Sequence, residues 1–257
     1  MEFYQVDSFT DNIFGGNPAG VCLIEHDWIE ESLMQNIAME INLSETVFVL
    51  KKNNKYYLRW FTPICEVPLC GHATLAAAHI LYSHKGIIND IEFESNLHKL
   101  RVSCELDMYI LDFPAAKIWQ IDNAPVCFNI SPIQTWQSEN EYLYIYENEE
   151  QIKHINCDIQ KASSIDLSGI IVTAKSDEQG IDFVSRYFAP KIGIHEDPVT
   201  GSAHTLLLPY WKQVLQKDIL NARQISKRGG RLYCEVKGDR VKIGGYAKTF
   251  LQGIIFI

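Results

Sequence analysis

Arg59-Trp60-Phe61-Thr62-Pro63 and Arg186-Tyr187-Phe188-Ala189-Pro190 are two versions of one phrase. The first begins at position 59 and the second at 186, an offset close to half of the 257-residue chain. Each is followed by a short irregular loop and then by a glycine ahead of an apolar stretch. The stretches read Gly71-His72-Ala73-Thr74-Leu75-Ala76 and Gly201-Ser202-Ala203-His204-Thr205-Leu206. Arginine, aromatic, phenylalanine, proline and a glycine-opened helix, repeated in that order at half the chain length, point to an internal duplication.

Two similar halves related by a pseudo-twofold axis are expected to set two loop-to-helix turns across one cleft. A helix start presents backbone N–H groups that its own ladder leaves unpaired, together with the positive end of the helix dipole. Such a cleft suits a small anion, for example a carboxylate, without calling on Lys or Arg. The competing reading is that Gly71 and Gly201 merely permit close strand-to-helix packing.

The periodicity around the repeat predicts the local elements. Phe3–Val6 and Val21–Ile24 read as strands flanking a turn-rich loop at 14–20. Asp27 with Glu30 reads as a capping box ahead of a helix over about 28–40, where Ile29, Leu33, Ile37 and Ile41 recur every fourth residue. Strands are predicted at 46–50 and 56–62, joined by a turn at 51–54. A helix over 71–83 has almost no polar face and is therefore expected to be buried on most sides. Further strands are expected at 90–94, 100–104, 108–113, 142–146, 170–173, 183–188, 232–236, 241–243 and 254–257. Ser131-Pro132 reads as a helix start, Glu147–Glu150 as a solvated turn, and Pro209 as a kink or an end to the second apolar helix. The halves are drawn at 1–115 and 116–257, with the last strand packing on the first half.

Composition narrows the function. With 23 basic and 32 acidic residues the formal charge is −9. No basic stripe exists to neutralise phosphates, which argues against a nucleic-acid partner. No run of about 18 apolar residues occurs, which argues against a helical membrane span. Met1–Asp7 lacks a basic segment followed by an apolar one, and the seven cysteines contain no C-x-x-C pair. The expectation is a cytoplasmic protein with reduced thiols that acts on something small.

Few polar residues flank the two turns. In the first half they are Glu45, Cys65, Glu66, Cys70 and His72; in the second, His195, Glu196, Asp197, Thr200, Ser202 and His204. Glu45 lies where a helix gives way to the apolar strand Val47-Phe48-Val49-Leu50. Partial desolvation there would raise its pKa into a range useful for moving protons. The alternative is a charge at an edge, turned to water. His72 and His79 are spaced poorly for chelation, His195-Glu196-Asp197 lacks a partner motif, and neither a dinucleotide fingerprint nor a P-loop is present. Cys70 beside His72 reads either as a thiolate nucleophile or as a buried inert thiol. Lys227-Arg228-Gly229-Gly230-Arg231 reads as a turn before a strand, or as a loop closing over an anion.

Taken together, Asp7-Ser8-Phe9-Thr10, Gly16-Asn17-Pro18-Ala19-Gly20, Leu43-Ser44-Glu45-Thr46, Cys70-Gly71-His72-Ala73-Thr74, Glu196-Asp197-Pro198-Val199-Thr200-Gly201-Ser202-Ala203 and Arg228-Gly229-Gly230 resemble the phenazine-biosynthesis (PhzF-like) isomerase family. The resemblance implies an α+β, diaminopimelate-epimerase-like fold of two pseudo-symmetric domains, each a curved sheet wrapped round a central helix. It implies a cofactor-independent, metal-free isomerase, often a homodimer, that moves a proton in a small amino- or hydroxy-carboxylate substrate. The family's catalytic glutamate falls on Glu45. Substrate-orienting positions fall on His72, Asp197 and Ser202, at the turns of Gly71 and Gly201. Related epimerases carry one catalytic cysteine in each half. Here Cys70 matches the first, while Asp197-Pro198-Val199-Thr200 holds none. A single carboxylate shuttle is therefore preferred over two-thiol racemisation, with a cysteine-assisted epimerase or a non-catalytic metabolite-binding protein as the alternatives.

Overall fold

The computed structural model describes residues 1–97 and 99–257. Its chain divides into two compact units, Met1–Asp112 with Gly244–Ile257, and Phe113–Ile243.

In the first unit β1 (Glu2–Ser8) pairs antiparallel with β2 (Asn17–Ile24), and α1 (Glu31–Ile41) carries the chain over to β3 (Glu45–Lys52), parallel to β2. A two-residue hairpin turn, Asn53-Asn54, then leads into β4 (Lys55–Phe61). Both asparagines have φ between 53° and 59°, a left-handed pairing that asparagine tolerates and that matches strand twist. The short β5 (Glu66–Val67) follows, then α2 (Gly71–Ser83), and β6 (Ile91–Glu94) returns parallel to β4. Antiparallel β7 (Lys99–Glu105) and β8 (Met108–Pro114) continue the sheet.

The burial of β3 shows how this unit is layered. Its first six residues are all buried, because both of its faces are covered. Phe48 and Leu50 pack with Met34, Ile37 and Ala38 of α1 on the outer face. Residues 45, 47 and 49 turn the other way, towards α2, since side chains alternate along a strand. α2 also touches β1, β2, β7 and the C-terminal strand, so the sheet curves round it. Nearly every α2 residue is buried in consequence, as its missing polar face predicts.

The second unit repeats this path. After β9 (Trp119–Gln120), β10 (Gln134–Gln137) and β11 (Glu141–Ile145) form an antiparallel pair. α3 (Glu149–His154) and α4 (Ile159–Ser163) then lead to β12 (Gly169–Lys175), parallel to β11. β13 (Phe183–Ala189) pairs antiparallel with β12, β14 (Ile194–Asp197) follows, and α5 (His204–Leu215) precedes β15 (Ile219–Gln224), which is parallel to β13. β16 (Gly230–Lys237) pairs antiparallel with β15, and β17 (Arg240–Gly245) follows it. Strand for strand, β10–β16 retrace β1–β7. The duplication read from the sequence is therefore topological as well. β18 (Ala247–Ile254) pairs with β1 in the first unit.

Several local expectations are corrected. Asp27 caps only the adjacent Trp28 N–H, and α1 begins at Glu31 without a side-chain cap, so no capping box forms. Ser131-Pro132 starts no helix, because Ile133 N–H bonds the Ile145 carbonyl and draws the chain towards β10. The acidic run opens α3: Asn148 caps the Gln151 N–H, and the Glu149 carboxylate accepts from Ser176 Oγ and the Asp177 N–H. α5 begins at His204, after a turn in which His204 N–H bonds the Gly201 carbonyl, so Gly201 precedes the helix instead of opening it. Pro209 does not end α5. The Thr205 carbonyl, which an N–H at position 209 would have met, accepts from Ala116 N–H at 3.0 Å instead. The final strand lies at 247–254, and residues 255–257 are outside it.

Candidate functional site

The duplicated phrase turns out to be a brace. Arg59 bonds Glu66 through two nitrogens and stacks 5.2 Å from the Phe61 ring. Arg186 does the same with Glu196 and lies 5.0 Å from Phe188. Arg186 also donates to the carbonyls of Ile152 and Ile155. Glu66 and Glu196, both candidates from the sequence, are thereby committed to their arginines, and His195 and Cys65 are exposed. These residues are not part of a polar cluster.

The cluster lies on the other face, at the start of β3. Glu45 is 8% exposed and His72 3%, and Glu45 Oε2 stands 3.3 Å from His72 Nε2. Burial pushes the imidazole down to about 3, so the ring is neutral at ordinary pH. The contact is therefore not an ion pair, and its alignment falls short of a hydrogen bond. On the ring's opposite edge, Nδ1 lies 3.1 Å from Asn17 Nδ2 and 3.4 Å from Cys70 Sγ. Ser44 Oγ donates to Asn17 Oδ1 at 3.3 Å.

The backbone fixes this arrangement. Ser8 Oγ donates to the His72 carbonyl at 2.8 Å, tying the first turn of α2 to the end of β1. Cys70 is extended and caps nothing with its side chain, while Thr74 bonds the Cys70 carbonyl through both N–H and Oγ1. That is the first bond of the helical ladder, so the N–H groups of Gly71, His72 and Ala73 lie ahead of it. Beyond Ser8, Phe9 holds φ at +62°, an unfavourable region for an aromatic residue, with its ring where a Cβ on Gly245 would stand. Gly16 has φ +61° and its Cβ position lies 2.1 Å from the Ser8 carbonyl oxygen, so no other residue fits there.

Glu45, Cys70 and His72 also bring potential metal-ligand atoms within 4.8 Å of one another. The thiol and the carboxylate meet opposite edges of the ring. A zinc ion about 2.0–2.1 Å from either nitrogen would sit at the wrong edge for one of them.

In the second unit Asp197 is 5% exposed, and its carboxylate accepts from Thr200 Oγ1. Gln224 clamps this turn, accepting from Thr200 N–H and donating to the Asp197 carbonyl. His204 Nδ1 bonds the Thr200 carbonyl, and burial lowers its pKa to about 4. Gly201 is buried within the turn and Ser202 is half-buried. The register also identifies the residue that duplicates Glu45. Glu45 stands opposite Ala19 across the parallel β2–β3 pair, as Gly169 stands opposite Glu141 across β11–β12. The counterpart of Glu45 is thus Gly169, whose Cβ position lies 2.5 Å from the Tyr187 hydroxyl. A carboxyl of that unit, Glu141, lies one strand away from Gly169, and burial raises it to about 7 against weaker bonds from Ser138 and Tyr187.

Sequence reasoning did not assign roles to Asn17, Ser8 or Gln224. Asn17 and Ser8 stand inside quoted motifs, but a side chain aimed at another loop leaves no local periodicity.

The duplicated α+β fold thus sets a buried carboxylate against a neutral, buried histidine at a helix start. A probable proline racemase from Agrobacterium radiobacter shares the fold at 10% identity, with a TM-score of 0.67 over 100% of this chain and 93% of its own. A family profile described as phenazine biosynthesis-like protein matches residues 6–253, and the chain belongs to that family. A Pseudomonas aeruginosa protein named as an uncharacterized isomerase is 43% identical over 99% of this chain and 98% of its own. The crystal structure of a PhzF-family protein from Enterococcus faecalis is 42% identical, with a TM-score of 0.94 over 100% of this chain and 99% of its own. Among the described residues, no helix is long and apolar enough to cross a membrane.

Proposed function

We propose that the protein is an isomerase in which Glu45 takes a proton from a carbon α or allylic to a carboxylate and returns it elsewhere on the same small amino- or hydroxy-acid. One observation carries the reading: the nearly buried Glu45 carboxylate faces a neutral, buried imidazole whose Nε2 lacks a hydrogen-bond partner. Buried polar atoms of this kind are seldom left unsatisfied, and a bound polar substrate would supply what is missing. The N–H groups at the start of α2 and the helix dipole offer stabilisation to the substrate carboxylate and to enolate-like charge. Substrate-orienting roles for Asp197, Gly201 and Ser202 belong to the same proposal.

Cys70 supports a second reading, a thiol-assisted epimerase, because its sulfur lies 3.4 Å from His72 Nδ1. Two features oppose it: the imidazole is too weak a base to hold a thiol proton, and the corresponding segment 197–200 contains no cysteine.

The test begins with incubation of candidate amino and hydroxy acids in deuterated water, where C–H exchange identifies a substrate. On that substrate Glu45→Gln is expected to lower kcat by about 10²–10⁴-fold with KM little changed. A folded Glu45→Gln protein with unaltered kcat would remove Glu45 from the mechanism.

A further inference from the structure

The ring of His72 has two edges, and each faces a different side chain. Nε2 faces the Glu45 carboxylate at 3.3 Å, and Nδ1 faces the side-chain amide of Asn17 at 3.1 Å. Asn17 is fully buried, and its Oδ1 accepts from Ser44 Oγ, which turns the NH2 end towards the imidazole. An amide NH2 only donates, so the nitrogen facing it must carry a lone pair. A neutral imidazole with its lone pair at Nδ1 holds its proton at Nε2. From these contacts we propose that Asn17, oriented by Ser44, is a positioning residue that locks His72 as the Nε2–H tautomer and so aims a donor at Glu45. The inference rests on the carboxylate-shuttle reading for its significance, but the tautomer itself is a property of the resting protein.

The functional consequence is directional. A carboxylate that faces an N–H is held in its proton-accepting form, whereas one facing a ring lone pair is favoured only when protonated. Ser44, Asn17 and His72 thus form a chain whose last hydrogen, on Nε2, faces the Glu45 carboxylate at 3.3 Å without closing a hydrogen bond to it in the resting protein. Reversing Asn17 would reverse every member of it. Cys70 competes for the same edge, with its sulfur 3.4 Å from Nδ1. An S–H is the weaker donor and the longer contact, so Asn17 decides the tautomer.

The experiment reads nitrogen chemical shifts of the His72 ring in protein labelled with 15N-histidine, with His72→Gln assigning the signals. Wild type is expected to show a single neutral form, protonated at Nε2 and unprotonated at Nδ1, from pH 5 to 8. Asn17→Asp places an acceptor at Nδ1, which should then carry a proton, either as the inverted tautomer or in an imidazolium between two carboxylates. Asn17→Leu removes the donor, and Ser44→Ala releases the amide to rotate. Both should yield a mixture of tautomers, with the Nδ1–H form at least tenfold more populated than in wild type. Ser44 is half-buried, so Ser44→Ala provides the answer even if the charge buried in Asn17→Asp prevents folding. Cys70→Ala should leave the wild-type pattern intact. An Nδ1–H wild type, an unchanged tautomer in the folded Asn17 and Ser44 variants, or inversion by Cys70→Ala alone would each overturn the assignment. None of these outcomes depends on turnover, so failure of the tautomer lock and failure of the Glu45 shuttle remain distinguishable. Where both hold, Asn17→Leu lowers kcat tenfold or more at near-constant KM and displaces the pH profile.

Discussion

Replacing Glu141 by Gln should change how stability depends on pH, and the size of the change follows from the site. Glu141 begins β11, and burial raises its carboxyl from 4.5 to about 7, against opposing bonds from Ser138 and Tyr187 at 3.4 and 3.5 Å. A raised acid pKa means that the folded protein holds a proton which the unfolded chain releases. The resulting stability is complete below pH 4.5 and is lost as pH rises through about 7. Within that window stability should fall by about 1.4 kcal/mol per pH unit, for a total of about 3 kcal/mol. Gln has the same shape and reaches the same two hydroxyls, but it cannot ionise. Urea titrations of both proteins from pH 4 to 8.5 should therefore give curves that diverge by about 3 kcal/mol across the window, with Glu141→Gln the relatively more stable at high pH. Curves that stay parallel from pH 4.5 to 8 would refute the argument that this carboxyl is buried as an acid.

Two further outcomes are expected. Gly16→Ala sets a Cβ against the Ser8 carbonyl, which cannot yield as a side chain would, and should cost more than about 2 kcal/mol in thermal unfolding. The control Gly238→Ala, also at positive φ but with open space around it, should cost only about 1 kcal/mol. Cys70→Ala should keep turnover within a few-fold of wild type, and complete loss of activity in a folded Cys70→Ala protein would restore the cysteine epimerase.

The duplication was legible because tertiary structure imposes the same local demand twice. An arginine must brace a glutamate and cover a phenylalanine at the same place in each sheet, so the phrase 59–63 recurs at 186–190. What the phrase does was not legible. Glu66 and Glu196 looked like candidates for chemistry because spacing says nothing about which face of a sheet a side chain takes. The buried helix at 71–83 was recognisable from its lack of a polar face, whereas α3 was hidden by acidic residues that a bare pattern assigns to solvent. Glu45 and His72 could be named from motifs. Their contact could not, because it joins the start of β3 to the start of α2 through residues far apart in sequence. Asn17 was hidden for the same reason, its partner lying 55 positions away.

The Arg–Glu–Phe brace is nearly identical in the two halves, while the opposite face of each sheet, on the neighbouring strand, has Glu45 in one and Gly169 in the other. Copies of a gene drift apart where structure allows it, and here the permitted place is the inside of the curve. The outward surface acts as a chassis that both descendants had to keep. The inward residues were free to diverge: Glu45 stands in one copy, and in the other the Tyr187 hydroxyl occupies the space a side chain at Gly169 would need. For protein engineering this separates two sets of positions. Inward residues at the strand starts are the ones the two halves show to be variable, and the braces are the ones to leave alone.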